Sequence, residues 1–279
     1  MQGKHPNTPI NKRQIVKVQV GKATMEMDAV AIEDPLEIKL LFQEANKKET
    51  LPLAITMRTP GADHALVYGY LFTEGIIGKK EDVIAWKQLG NTVHIQLDDS
   101  ISKASIPFVD RPTITHASCG ICGKPSLDSI EKISCHHPIA ALPKVPYSIL
   151  TSLPNQLLQI QNSFTQTGGM HAAALYQSDG SLLAFQEDIG RHNALDKLMG
   201  WALLLNAIPL RQHILLLSGR ISFELVQKAS LAGIPIIAAV GAPSNLAIEL
   251  AEANGITLVG FIKADRFNIY CGAERVDLH

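Results

Sequence analysis

The first third of the chain alternates apolar and polar side chains at the strand period of two in three short segments, 14–20, 36–42 and 92–97. One segment breaks that rhythm. After Arg58-Thr59-Pro60-Gly61, residues Leu66, Val67, Tyr70 and Leu71 recur at helical spacing. Asp63 stands in the first turn, where a helix N-terminus favours negative charge, and Gly75 is placed to close the helix in a left-handed cap. Residues 101–146 then carry six prolines and read as a linker or functional loop, with a domain boundary near its end. The expected division is a smaller mixed α+β domain over 1–145 and a second domain over 146–279.

From residue 153 onward the pattern changes to alternating helix and strand. A helix is predicted over 153–164. Strands 170–176 and 182–186 follow, joined across Ser178-Asp179-Gly180, a hairpin signal. Helices 193–206, 222–232 and 245–253 then interleave with strands 213–217, 234–240 and 256–262. The later strands are apolar on both faces, as a parallel sheet covered by helices on each side requires. The predicted class of this half is layered α/β. No repeat of fixed period and no low-complexity segment interrupts it.

Composition narrows the function classes. The 279 residues are 46% hydrophobic and 18% charged, an ordinary globular balance. Twenty-five Lys and Arg against 26 Asp and Glu leave a net charge of −1, which excludes a whole-protein basic field for nucleic acid. The first 14 residues are polar, without the apolar core of a secretory signal. Every apolar run falls short of the roughly 20 residues that span a bilayer, so a soluble cytoplasmic protein with no membrane partner is expected. Four cysteines are too few for a disulfide framework; in a reducing cytosol they are free, metal-bound or catalytic.

The sharpest chemical signal is Ser118-Cys119-Gly120-Ile121-Cys122-Gly123-Lys124. Two thiols three residues apart, flanked by glycine and followed by a lysine, suit a reactive thiolate, and a helix predicted over 127–133 would lower a thiol pKa further. The rival reading is structural zinc, completed by Cys135-His136-His137. These three are contiguous, so at most two of them easily bind one ion. A thioredoxin-type motif fits less well, because residues 111–118 do not read as a buried strand. Cys135 and Cys271 are isolated and taken as structural.

Two further constellations are polar. Thr167-Gly168-Gly169-Met170-His171 and Glu187-Asp188-Ile189-Gly190-Arg191-His192-Asn193 place glycines, an acid, a cation, an imidazole and an amide at a strand end and a helix start. That concentration points to a ligand more than to a simple cap. Ser218-Gly219-Arg220, Gly241-Ala242-Pro243-Ser244-Asn245 and Lys263-Ala264-Asp265-Arg266-Phe267-Asn268 fall at the carboxyl ends of the expected parallel strands. Such ends form the ligand crevice of open α/β sheets, and an anionic nucleotide-like ligand is expected there.

The chain resembles the FdhD/NarQ family of sulfur-carrier proteins, accessory factors for formate dehydrogenase. The resemblance covers most of the chain. It is carried in order by Met57-Arg-Thr-Pro-Gly61, Gly69-Tyr-Leu-Phe-Thr-Glu-Gly-Ile-Ile77, the Cys119/Cys122 motif, Thr167-Gly-Gly-Met-His-Ala-Ala-Ala174, Glu187-Asp-Ile-Gly-Arg-His-Asn-Ala-Leu-Asp-Lys197, Leu217-Ser-Gly-Arg-Ile-Ser-Phe-Glu-Leu225 and Gly233-Ile-Pro235. It implies a cytidine-deaminase-like, three-layer fold for the second domain. It also implies that persulfide sulfur is accepted from a cysteine desulfurase and passed to the molybdenum or tungsten bis-guanine-dinucleotide cofactor, bound as a substrate and delivered to apo formate dehydrogenase. Cys119 matches the persulfide-carrying position and Cys122 the accompanying thiol. The cofactor-binding segment matches Phe261, Ile262, Lys263, Ala264, Asp265 and Arg266, with Lys263 where the family leads one to expect arginine, a point charge in place of a fork.

A deaminase activity does not follow from that fold. Zinc deaminases use His-x-Glu and Pro-Cys-x-x-Cys, whereas this chain has Arg191-His192-Asn193-Ala194 and Ser218-Gly219-Arg220-Ile221 at the two corresponding helix starts. No catalytic zinc is expected. Arg220, His192 and Asn245 are the expected base or phosphate contacts for a guanine nucleotide moiety. The open alternative is a cofactor-binding chaperone whose cysteine loop is a zinc-stabilised docking element; a homodimer, in which two subunits hold the two nucleotide arms of one cofactor, is compatible with such a carrier.

Overall fold

A computed structural model of the chain describes residues 8–44, 47–103, 106, 136 and 138–278. The expected helix 127–133 lies outside them. The described chain begins with a two-stranded antiparallel hairpin, β1 (Ile10–Gln19) and β2 (Lys22–Ala31), turning at Val20 and Gly21. A four-stranded sheet follows, built from β3 (Asp34–Glu44), β4 (Lys47–Arg58), β5 (Val83–Leu89) and β6 (Thr92–Leu97) in the order β4-β3-β6-β5. Helix α1 (Asp63–Thr73) is inserted between β4 and β5, and Gly75 turns left-handed (φ 68°) just past its end, as the sequence predicts. β4, which Pro52 interrupts, was not among the strands expected from the sequence. The structure accommodates that proline beside a register shift opposite Ile38 and Lys39.

The second half is organised by a six-stranded sheet. After β7 (Val145–Pro146) come α2 (Tyr147–Ile160), α3 (Asn162–Thr167), β8 (His171–Gln177), β9 (Leu182–Asp188) and α4 (Arg191–Leu204). Then follow β10 (His213–Leu217), α5 (Phe223–Leu231), β11 (Ile236–Ala239), α6 (Asn245–Ala253), β12 (Thr257–Gly260), β13 (Asn268–Cys271) and β14 (Val276–Asp277). The strand order is β13-β12-β11-β10-β8-β9, with β10, β11 and β12 parallel and β8, β9 and β13 joined antiparallel. The predicted helix 153–164 differs in detail. It starts earlier, runs through Pro154 and breaks at Gln161, whose ψ of 69° ends α2 and begins α3.

The apolar runs explain the layering. Successive residues of β10 point to opposite faces, so Leu215 and Leu217 join one buried cluster while Ile214 and Leu216 join another. β8 and β11 divide in the same way, Leu175 and Ile237 to the first, Tyr176 and Ile236 to the second. The second cluster is closed by Leu150, Leu153 and Leu157 of α2. The first contains Leu195 and Leu198 of α4, Val226 of α5 and Ala247 of α6, and it continues through Leu66 and Leu71 of α1 to Leu36, Ile38 and Ile95 of the four-stranded sheet. Each fully buried leucine or isoleucine contributes about 2 kcal/mol, which makes this shared cluster the main term holding α1 onto α4. The fold is mixed α/β, as expected.

Candidate functional site

The parallel strands β10, β11 and β12 end on one edge, and the three loops singled out in the sequence meet there. Backbone hydrogen bonds stitch them side by side. Gly241 N donates to Gly219 O (3.2 Å), Phe261 N to Gly241 O (3.1 Å) and Ile262 N to Ala239 O (3.1 Å). Gly241 makes the close approach possible, because a Cβ there would lie 2.8 Å from Gly219 O. The result is a continuous rim of backbone at the carboxyl ends of the strands, where open sheets of this kind bind ligands.

The predicted contact residues take different places on that rim. Ile262 is buried and pins the last loop to the sheet, while Lys263, Ala264, Asp265 and Arg266 are exposed in a turn closed by Lys263 N donating to Arg266 O (2.8 Å). Phe261 is 46% exposed and has a φ of +53°, a left-handed conformation that a bulky side chain adopts only under strain. Arg220 is exposed. Asn245 is exposed too, but its amide donates to Glu249 along α6, and Ser244 caps that helix by accepting from Ala247 N (3.3 Å). His192 is buried: its Nε2 lies 3.2 Å from Glu224 Oε2 and 3.3 Å from Ser222 Oγ at the start of α5. The His192 hydrogen bond is the main reason that the Glu224 carboxyl is pulled down to about 2.

Beside the rim lies a cavity of about 490 Å³. Gly168, Gly169, Met170 and His171 form one wall and Ser218 and Val240 another, so the second and third constellations share it. Ser218 Oγ accepts from Ala172 N (2.8 Å), which fixes the loop to β8. Burial, and then the charges of Arg191 and His192, hold the His171 imidazole below the ordinary histidine value against the pull of Asp188, so it is neutral at pH 7. The remaining wall, from Leu157, Gln161 and Phe164 of α2 and α3, was missed in the sequence. Gln161 is 5% exposed, and its Nε2 is buried without a hydrogen-bond partner among the described residues. A signal for it exists: Leu150, Leu153, Leu157 and Gln161 follow one another at helical spacing, which puts an amide on the stripe that otherwise faces the core.

The polar cluster at the start of α4 corrects an expectation. Asp188 and Asn193 are spent on the interior, not offered to a ligand. Asp188 is fully buried; its Oδ2 lies 2.7 Å from Lys197 Nζ and accepts from Thr59 N (3.1 Å), and its Oδ1 accepts from Gly190 N (2.9 Å). Asn193 Nδ2 donates to Met57 O (2.8 Å), its Oδ1 accepts from Thr56 Oγ1 (3.0 Å), and Lys197 Nζ donates to Thr59 O (2.9 Å). Arg58, in turn, forks onto Asp63 (2.9 and 3.0 Å). The unpaired backbone at the end of β4 consumes these side chains, and two of the sequence motifs thereby become one buried clasp.

Cys119, Cys122, Cys135 and His137 lie outside the described residues. Cys271 is described: its Sγ donates to Ile256 O (3.2 Å), and burial pushes the thiol up to about 11, which disfavours the reactive thiolate at neutral pH. Among the described residues no group of three or more His, Cys, Asp or Glu stands in an arrangement that would hold a metal ion. No described helix is long and apolar enough to cross a membrane.

The model of the FdhD/NarQ family matches residues 32–277. The chain belongs to the FdhD/NarQ family. It is 41% identical to the sulfur carrier protein FdhD of Mycolicibacterium paratuberculosis, over 95% of this chain and 98% of the relative. It is 44% identical to the protein of the same name from Streptomyces coelicolor, over 96% and 95%. A crystal structure called a formate dehydrogenase accessory protein, from Desulfotalea psychrophila, superposes with a TM-score of 0.74 at 25% identity, covering 97% of this chain and all of that one. In this FdhD/NarQ chain the described part of the candidate site comprises the stitched rim, the cavity beside it and His171 in the cavity wall.

Proposed function

We propose that the chain is a sulfur carrier that accepts persulfide sulfur from a cysteine desulfurase on Cys119 and passes it to a molybdenum bis-guanine-dinucleotide cofactor destined for formate dehydrogenase. The names of its relatives support the carrier role. The observation that carries the cofactor half of this reading is the rim of three stitched loops, with a cavity large enough for a nucleotide moiety beside it. The exposed cations Arg220, Lys263 and Arg266 lie on its loops, suited to pyrophosphate, and the exposed ring of Phe261 offers a face for a guanine base. His192, buried against Glu224 and Ser222, holds the start of α5 and is not offered directly to a ligand. Asn245, engaged with Glu249, reaches a ligand only after that bond is released.

The sulfur step follows from thiol chemistry. The Cys119 thiolate attacks the outer sulfur of the desulfurase persulfide, forming a Cys119 persulfide and releasing the desulfurase thiolate. Attack by Cys122 on the inner sulfur then frees the outer one as hydrosulfide for the bound cofactor and leaves a Cys119–Cys122 disulfide, which cellular thiols reduce.

The test is the intact mass of the purified protein after incubation with a cysteine desulfurase and cysteine. A gain of about 32 Da, one sulfur, is expected in the wild type and absent in Cys119→Ala. No gain in any variant, together with stoichiometric bound zinc, would replace sulfur transfer by the docking-element reading.

A further inference from the structure

His171 opens β8, Arg191 opens α4 and Gly219 follows β10, and the three meet at one corner. A Cβ on Gly219 would lie 3.1 Å from His171 Nδ1, 3.3 Å from His171 Cε1 and 3.9 Å from Arg191 Cδ, so glycine is what lets the ring and the arginine stem share this side of the loop. His171 and Ser218 line the cavity of about 490 Å³, and the corner opens onto it there. Arg191 is half-buried, and its Nε is enclosed with no hydrogen-bond partner among the described residues. The carboxylates that act on this corner are engaged elsewhere: Asp188 lies 2.7 Å from Lys197 Nζ, and Glu224 3.2 Å from His192 Nε2. Burial first, then Arg191 and His192, hold the His171 imidazole below its ordinary value; Asp188 opposes them and Arg220 adds to them. The corner is therefore net cationic. A guanidinium taken partly out of water without a counter-charge costs stability, which a bound anion offsets.

We propose that Arg191, His171 and Ser218 hold hydrosulfide at this corner, between its release from Cys119 and its transfer to the bound cofactor. The assignment deepens the sulfur-carrier reading and rests on it. Attack of the Cys122 thiolate on the inner sulfur breaks the persulfide S–S bond, forms the Cys119–Cys122 disulfide and expels the outer sulfur with the bonding electron pair as hydrosulfide. That ion carries one charge, which a single unengaged guanidinium matches. A fixed cation also favours hydrosulfide over volatile, neutral hydrogen sulfide, and an unprotonated imidazole has no acidic proton to give it. Ser218 Oγ accepts from Ala172 N (2.8 Å) and has its own hydrogen left to donate. Nucleotide phosphates find the exposed cations Arg220, Lys263 and Arg266 on the outer rim, which leaves the enclosed guanidinium to a smaller ion.

Nuclear magnetic resonance of the full-length Cys119→Ala/Cys122→Ala protein, carrying isotope-labelled histidine, tests this without persulfide or disulfide chemistry at those positions. Sodium hydrosulfide is added anaerobically at constant ionic strength. Saturable movement of the His171 ring resonances, assigned with His171→Gln, is expected, together with a rise of the imidazole pKa by about one unit, since a neighbouring anion favours imidazolium. Arg191→Met should weaken hydrosulfide binding about tenfold or more, the loss of one charge-assisted hydrogen bond, and Arg191→Lys should restore most of it. Thermal unfolding followed by circular dichroism should be unchanged in both variants, because no partner within the described fold is lost. Ring resonances that do not move, an affinity indifferent to Arg191→Met, or inorganic phosphate bound about tenfold more tightly at the same resonances overturns the assignment, the last in favour of a nucleotide phosphate. The intact-mass experiment keeps the two readings apart. Sulfur loaded on Cys119 with no hydrosulfide at Arg191 overturns this site alone, whereas a chain that never loads sulfur overturns the carrier reading and the transit role with it.

Discussion

Gly69 of α1 and Gly200 of α4 stand back to back, each occupying the space that a side chain on the other would need. A Cβ on Gly69 would lie 2.8 Å from Gly200 N and run into the Asp196 carbonyl, and one on Gly200 would lie 2.6 Å from Gly69 N and run into the Ala65 carbonyl. The helices therefore meet backbone to backbone. That approach sets Asp196 against Thr73 Oγ1 (2.7 Å) and Lys228 Nζ (2.9 Å) in the interior. Burial pulls the Lys228 ammonium down, but Asp196 and Glu74 override it and hold the group above the ordinary lysine value.

Because neither backbone can yield cheaply, Gly69→Ala and Gly200→Ala should each destabilise the protein by about 3 kcal/mol. Urea denaturation measures this. A change within about 0.5 kcal/mol, the size of an ordinary surface substitution, would mean that the crossing is looser than described.

Lys197→Met strips the cation from fully buried Asp188 and should cost about 3–5 kcal/mol. Asp188→Leu combined with Lys197→Met should recover only part of the loss, since Thr59 N and Gly190 N then have no acceptor. Full recovery in denaturant melts would show that the ion pair, not the backbone clasp, is what matters.

Glu224 gives a pH signature. Its carboxyl sits near 2 when folded against an ordinary value of 4.5, so its contribution is complete above pH 4.5 and disappears as the pH falls through about 2. Glu224→Gln should lower stability by about 1–3 kcal/mol at neutral pH and flatten the acid limb of the stability curve over that window. Parallel acid limbs in wild type and variant would show that the His192 contact does not bias the titration.

Gln161→Leu separates stability from binding. Removing an amide whose buried Nε2 has no partner among the described residues should leave the protein unchanged or more stable by about 1 kcal/mol. If the cavity holds a guanine moiety, titration calorimetry with GDP should show affinity at least tenfold lower, about one lost hydrogen bond of discrimination. An unaltered GDP affinity removes Gln161 from the binding surface.

The elements that sequence alone revealed are those whose apolar pattern is complete by itself. The run through Ile214 to Leu217 is apolar on both faces, and that is enough to call for a covered parallel strand. Gly75 marks a helix end by local chemistry, and it does so in the structure. What escaped depends on long-range partners. β4 contains a proline that only its bulged pairing with β3 makes tolerable. Asp188 and Asn193 look like ligand groups until Met57 and Thr59, more than a hundred residues away in the chain, are seen to take their hydrogen bonds. Gln161 left a visible trace, an amide on an apolar stripe, but only the cavity gives that trace a meaning.

The left-handed backbone at Phe261 also sets an evolutionary trade-off. Glycine would relieve the torsional penalty of about 1–3 kcal/mol, so a lineage selected for robustness alone would discard the aromatic ring there. A ring left 46% exposed on left-handed backbone costs stability, and the proposed guanine contact is the use that would offset that cost. Phe261 is therefore the position at which a laboratory screen for heat resistance would first separate hardiness from usefulness.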